Sequence, residues 1–281
     1  MPLAQGIDIL ELSSGQYETV YNLLSLAIAS LFFTGLYLLL SQKRVLPRYR
    51  NALVVSATVC FIATYHYIRI FDNFKESYVT DAQGGNGVFT LTEVAFNEGY
   101  RYVDWFLTVP LLLVETIAVL ALTRAAAKPL LTKLVLASAF MIALGYPGEV
   151  STDTSVRLIW GTLSTIPFLY ILYVLFVEIN KSLERQPAEV RSTLRKLTIM
   201  LVGLWGVYPI AYLMPVLGFD GPQAFVLRQA GYSIADILAK AAFGLVIFKI
   251  ARMKSMADEP GFDDHDFDAP LEVGTPAQSR G

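Results

Sequence analysis

The chain has 281 residues, of which 54% are hydrophobic and only 16% charged, and its formal net charge is −2. That balance excludes a soluble globular enzyme and a nucleic-acid binder and marks a membrane protein. Cys60 is the sole cysteine, so an intrachain disulfide is ruled out, and no metal site is expected.

Apolar stretches of about 20 residues recur along the chain, each long enough as a helix to cross roughly 30 Å of hydrocarbon. Seven are expected, at 19–41, 51–73, 100–122, 130–147, 155–179, 195–216 and 224–250. The fold class is therefore an all-α, multi-pass membrane protein, a seven-transmembrane-helix bundle occupying 19–254. Residues 1–16 lack the basic start and apolar core of a clear signal peptide, and 1–18 are expected to form an extracellular leader. Between the second and third helices, "DAQGGNGVFTLTEVAF" sets a Gly-Asn-Gly turn among β-prone runs, which predicts a short extracellular β-hairpin. The end of the chain, 255–281, is rich in Asp, Pro and Gly and reads as a disordered acidic tail.

Charge bias orients the bundle, because Lys and Arg accumulate in cytoplasmic loops. "SQKRVLPRYR" after the first helix, Arg124, Lys128 and Lys133 after the third, Lys181 to Lys196 after the fifth, and Lys249, Arg252 and Lys254 at the end of the seventh all fall on one side. The opposite loops carry Asp81, Glu93, Glu98, Glu149, Asp153 and Asp220 with few bases. The amino terminus is thus expected outside and the carboxyl terminus inside the plasma (inner) membrane.

The seventh helix, "GYSIADILAKAAFGLVIF", holds Lys240 roughly 15 Å of helix from its basic end, too far for the side chain to snorkel. A lone charge there costs at least about 2.5–3.5 kcal/mol. Lys240 must be paired, neutral or chemically modified. Asp236, one turn earlier, is a candidate partner, which leaves open a structural ion pair or a desolvated lysine able to form an imine with an aldehyde.

The third helix, "RYVDWFLTVPLLLVE", puts Arg101, Asp104, Thr108 and Glu115 into an apolar segment. At about 100° per residue, Thr108 lies about 40° and Glu115 about 20° round from Asp104. They form one stripe, with Glu115 roughly 16 Å farther along the axis. Two acids at different depths of one span mark an ion or proton path.

"RYVDWFLTVPLLLVE" together with "ADILAK" resembles the microbial rhodopsins, specifically the proteorhodopsin and xanthorhodopsin group of light-driven proton pumps, and the resemblance extends over all seven helices. It implies that Lys240 carries all-trans retinal as a protonated Schiff base, with Asp104 and Asp236 as counterions and Arg101 balancing charge on the outer side. It further implies that Asp104 is the primary proton acceptor, Thr108 its neighbour and Glu115 the cytoplasmic donor. The triplet Asp104, Thr108, Glu115 is the proton-pump signature of the group. Physical chemistry agrees: an imine between two carboxylates is favoured in its charged form, and a carboxyl among Leu112, Leu113 and Val114 in its neutral form. Light would transfer the imine proton to Asp104, and Glu115 would restore it from inside, giving net outward transport. His66, in "ATYHYIRIF", resembles the histidine that hydrogen-bonds the acceptor in this group, where it would tune proton affinity.

By the same resemblance Trp105, Trp205, Tyr208 and Pro209 form an aromatic cage around retinal, and Tyr102, Met141, Gly145, Ser164 and Tyr212 line the pocket. Leu112 matches the tuning position whose leucine implies green absorption. Tyr212 stands where bacteriorhodopsin has tryptophan. Gly161, in "RLIWGTLSTIPF", suits close helix packing, and in xanthorhodopsin-like pumps a glycine here opens the wall to a carotenoid antenna. A homo-oligomer, pentamer or trimer, is implied as well. The competing expectation is a light sensor acting through a separate transducer, which would share Lys240 and the pocket but need no efficient donor at Glu115. No paired-glutamate outer release group of the bacteriorhodopsin kind is evident.

Overall fold

The computed structural model describes residues 11–80, 87–119, 124–183, 188–219, 221–259 and 262. Helices α1 (Ser14–Leu40), α2 (Pro47–Ser77), α3 (Gly99–Val119), α4 (Arg124–Glu149), α5 (Thr154–Leu183) and α6 (Ala188–Tyr212) form six spans. The seventh is α7 (Gly221–Asp236), which continues through a π-helical segment, Ile237–Ala242, into α8 (Phe243–Asp258). Among the described residues α1, α2, α4 and α5 are long and apolar enough by composition to cross a membrane. Each helix packs on the next in sequence, and α1 packs on α7, so the bundle closes into a ring.

The helices begin and end away from the hydropathy boundaries for local reasons. The first starts at Ser14 rather than 19 because Ser13 caps it: its Oγ accepts from Gln16 N at 3.3 Å, and Gln16 Oε1 accepts from Ser13 N at 2.9 Å. The second starts at Pro47, whose missing N–H suits a first turn. At the far end α8 runs to Asp258, so residues 255–258 are helical where tail was expected. Asp258 accepts from Tyr49 and pairs with Arg48 at 3.3 Å, and Ser255 Oγ accepts from Leu46 N at 3.0 Å. These contacts hold the last turn against the start of α2. The remainder of the tail, apart from Glu259 and Phe262, lies outside the described residues, as do residues 1–10 of the leader.

The expected hairpin is present as β2 (Tyr78–Val79) and β3 (Val88–Leu91), antiparallel with Tyr78 opposite Leu91. Residues 81–86, with most of the turn, lie outside the described residues. A third strand, β1 (Glu11–Ser13), comes from the segment expected as leader and pairs with the free edge of β3, Leu12 opposite Phe89. Leu12 is fully buried, and Tyr17 stacks on Phe89 at 3.8 Å between centroids. A three-residue strand carries too little periodicity to be legible beforehand.

The π-helical segment surrounds Lys240. One extra residue per turn is a local departure found at functional sites, and here it lies immediately after Asp236. The apolar core divides by depth: one cluster of α1, α2 and sheet residues at the sheet end, another of α3, α5, α6 and α8 residues at the opposite end. Between them lies an aromatic layer containing Tyr102, Trp105 and Tyr232.

Candidate functional site

Lys240 is buried, and its ammonium meets two carboxylates, Asp104 in hydrogen-bond contact and Asp236 Oδ1 at 3.1 Å. Lys240 is therefore paired, an arrangement compatible both with a structural ion pair and with a lysine that forms an imine. Asp236 is saturated. Its Oδ1 accepts from Tyr208 Oη at 2.7 Å and Trp105 Nε1 at 3.1 Å, and its Oδ2 accepts from Tyr67 Oη at 2.8 Å. Arg101 Nη1 lies 3.7 Å from Asp236 Oδ2 and donates to Tyr67 Oη at 2.7 Å. Two cations and two anions, all buried, therefore balance, as charges removed from water must.

Asp104 is less tightly held. Its Oδ1 is buried with no hydrogen-bond partner among the described residues. Thr108 sits beside it but donates to the Asp104 backbone carbonyl at 2.8 Å, the usual i−4 bond of a helical threonine. The expected bond from His66 to Asp104 is not made. His66 is buried on α2, its Nδ1 has no partner among the described residues, and its ring meets the edge of Tyr65 at 5.1 Å.

Glu115 lies about 16 Å along α3 from Asp104, toward the end away from the sheet. It is buried, and its Oε2 accepts from Ser56 Oγ of α2 at 2.6 Å. Its Oε1 has no partner among the described residues, and no ion pair reaches it there. Ser56 is a partner of Glu115 that the sequence did not reveal; a serine in an apolar span gives no signal until the facing acid is known.

A cavity of about 260 Å³ runs from Lys240 between α3, α4, α5 and α6. All ten pocket residues expected from the sequence line it, together with Gly161. Further walls come from Val109, Ile142, Phe168 and Tyr232. The volume falls just below the range of about 300–1,000 Å³ typical of ligand sites, and the walls are aromatic and aliphatic around one amine. Such a lining suits a long apolar molecule attached at Lys240. The cavity also touches Leu158 and Thr162, both exposed on the outer face of α5.

Gly161 is half-buried, and a Cβ there would fall 2.7 Å from Tyr212 Cε1. The glycine thus admits the Tyr212 ring, which stands at the cavity wall behind it. Tyr212 is fixed at both ends: its hydroxyl donates to the Arg157 carbonyl at 2.8 Å, and Arg157 Nη1 donates to the Tyr212 carbonyl at 3.2 Å.

A second charged cluster lies nearer the sheet end. Arg228 Nη2 donates to Glu98 Oε1 at 2.7 Å, and its Nη1 forms an ion pair with Glu149 Oε1 at 2.9 Å. Glu149 Oε2 accepts from Tyr232 at 3.0 Å and Tyr102 at 3.3 Å, and Arg157 Nη1 lies 4.0 Å away. All four charged side chains are buried. Sequence reasoning placed Glu98 and Glu149 among outer loop charges and overlooked both arginines. Arg228, inside the seventh span twelve residues before Lys240, was the available signal, since a buried cation implies buried anions.

A closed seven-helix membrane bundle, with a buried amine held between two carboxylates at one end of an aromatic-walled cavity, defines the class. The chain belongs to the bacteriorhodopsin-like protein family, whose model matches residues 18–253. The structure of xanthorhodopsin, described as a light-driven ion pump with dual chromophore, is similar at 43% identity and TM-score 0.81, covering 90% of this chain and 99% of that one. The structure of a thermophilic rhodopsin is similar at 46% identity and TM-score 0.83, with the same coverage. The green-light absorbing proteorhodopsin of Gamma-proteobacterium EBAC31A08 is 29% identical over 234 residues, 82% of this chain and 85% of the relative.

Proposed function

We propose that this chain, an ion transporter and not an enzyme, is a light-driven outward proton pump carrying all-trans retinal on Lys240. The observation that carries the reading is Lys240 between Asp104 and Asp236 at the cavity, with Glu115, bonded by Ser56, at another depth of the helix that carries Asp104. Retinal, when bound, supplies light absorption and the isomerisation that changes the proton affinity of the Lys240 nitrogen. Asp236, saturated by Tyr67, Tyr208 and Trp105, holds a fixed negative charge beside that nitrogen. Asp104, whose Oδ1 has no partner among the described residues, accepts the proton. Glu115 donates to the Lys240 nitrogen afterwards and is refilled from its own side. Trp105, Trp205, Tyr208 and Pro209 restrict the cavity to one shape and exclude water. The basic loops support an orientation with the sheet end outside and Glu115 toward the cytoplasm.

The glycine at 161 and the exposed cavity-lining residues Leu158 and Thr162 support a carotenoid lying on this face as an antenna, the Tyr212 ring standing between it and the cavity. Assembly as a pentamer or trimer belongs to the same reading, measurable as the mass of the detergent-solubilised pigment. The test is the external pH of unbuffered cells expressing the chain with retinal under green light. Acidification abolished by a protonophore is expected. A visible pigment without any pH change would instead favour a sensor.

A further inference from the structure

The inner charge set and the outer cluster are separate ion-pair systems, and one side chain is hydrogen-bonded to both among the described residues. Gln229, buried on α7, accepts from Arg101 Nη2 at 2.8 Å through Oε1 and donates to Glu98 Oε1 at 2.8 Å through Nε2. The amide orientation is dictated by its neighbours, because a guanidinium only donates and a carboxylate only accepts. A glutamine is suited to this place for that reason. Glutamate would oppose Glu98, asparagine would be one methylene short of spanning the two, and an apolar residue would bond neither.

We infer that Gln229 is the positioning residue that couples the acceptor complex to the proton exit, by tying Arg101 to the Glu98–Arg228–Glu149 cluster; this rests on the proton-pump reading. The guanidinium of Arg101 is shared. Nη1 is held by Tyr67 on the Asp236 side, Nη2 by Gln229 on the outer side, and Nε has no partner among the described residues. Among the described residues the charged groups around it are Asp104 on α3, Asp236 and Lys240 on the seventh span, and Glu98, Glu149, Arg157 and Arg228 outside. Without the tie, Arg101 is free to close its 3.7 Å gap to Asp236, and the polar chain between Asp104 and the sheet end is cut. The proton that leaves Asp104 goes to external water, and Gln229 itself neither gains nor loses one.

The experiment is flash photolysis of the full chain with retinal, with a pH-indicator dye in the bulk, on the parent, Gln229→Met and Gln229→Asn. In Gln229→Met, deprotonation of the Lys240 nitrogen should keep its parental rate, while proton appearance outside slows about tenfold, the scale of one lost hydrogen bond to a charged group. Gln229→Asn, which keeps a polar amide in the buried site, should slow it less. Unchanged release in whichever variant forms pigment overturns the inference. So does failure of both to form pigment, because Gln229 would then support the retinal site and not the exit. No proton release from the parent would refute the pump reading instead.

Discussion

Replacing Arg228 by methionine strands two buried carboxylates, and the size of the effect can be worked from the geometry. The Glu98 and Glu149 oxygens lie 2.7 and 2.9 Å from its guanidinium nitrogens. At an effective dielectric constant of about 20 each contact amounts to about 6 kcal/mol of Coulomb attraction. Burying the arginine offsets much of that, so the net loss on breaking the pair should be about 3–5 kcal/mol. Arg157, 4.0 Å from Glu149, can compensate one carboxylate but does not reach Glu98 in any contact described. Removing the stranded charge as well, in Arg228→Met with Glu98→Gln, should therefore recover part of the loss. The assay is denaturant unfolding of the purified pigment, followed by its visible band, for the parent, both single variants and the double. Additive losses would show that Arg228 and Glu98 act independently. A cost below about 1 kcal/mol for Arg228→Met, the scale of an exposed pair, would refute the claim that the cluster is desolvated.

Lys240→Ala should form no covalent visible pigment with retinal, and a covalent band in that variant would sink the attachment site. Asp104→Asn, which leaves Lys240 paired with Asp236 alone, should red-shift the absorption and stop light-driven acidification; undiminished transport would remove the acceptor role. Glu115→Gln keeps the size of the side chain and loses the transferable proton, so reprotonation of the Lys240 nitrogen should slow by at least about tenfold, within the range of general acid–base effects. An unaltered photocycle would count against it. Gly161→Trp should abolish carotenoid-sensitised activity while direct excitation still drives pumping, with a shifted band because the Tyr212 ring must move; persisting antenna transfer would refute the carotenoid site.

The parts of the site that were legible in the sequence are those where charge interrupts an apolar span. Lys240, Asp236, Asp104 and Glu115 stand out because each is costly there without a partner or a proton, and the helical period puts the acids of α3 on one stripe. Glu98 and Glu149 were not legible for the converse reason. An acid at a helix end looks the same in sequence whether it faces headgroups or is buried against an arginine. His66 shows a further limit: its position on α2 could be read, but the partners of its ring depend on the orientation of the helices it faces. The helix count followed from hydropathy, whereas Ser14, Pro47 and Asp258 as helix ends depend on caps and tertiary contacts that hydropathy averages over.

Hydrogen-bond saturation separates the carboxylates that could exchange a proton from those that hold a charge. Asp236 has both oxygens filled by neutral donors, Tyr67, Tyr208 and Trp105, in addition to its ion pairs. Adding a proton there would displace a bond and leave a buried donor without its acceptor, a cost of about 1–3 kcal/mol. Asp104 and Glu115 each keep one buried oxygen without a partner among the described residues, where a proton displaces nothing. They differ in the charge they face. Asp104 meets the Lys240 ammonium. Glu115 meets the Ser56 hydroxyl and no cation among the described residues. A carboxylate beside the amine and a second at another depth of the same helix, each with one oxygen unbonded among the described residues, are the starting conditions that the proposed pump would use. They follow here from which oxygens the neighbouring helices leave unbonded.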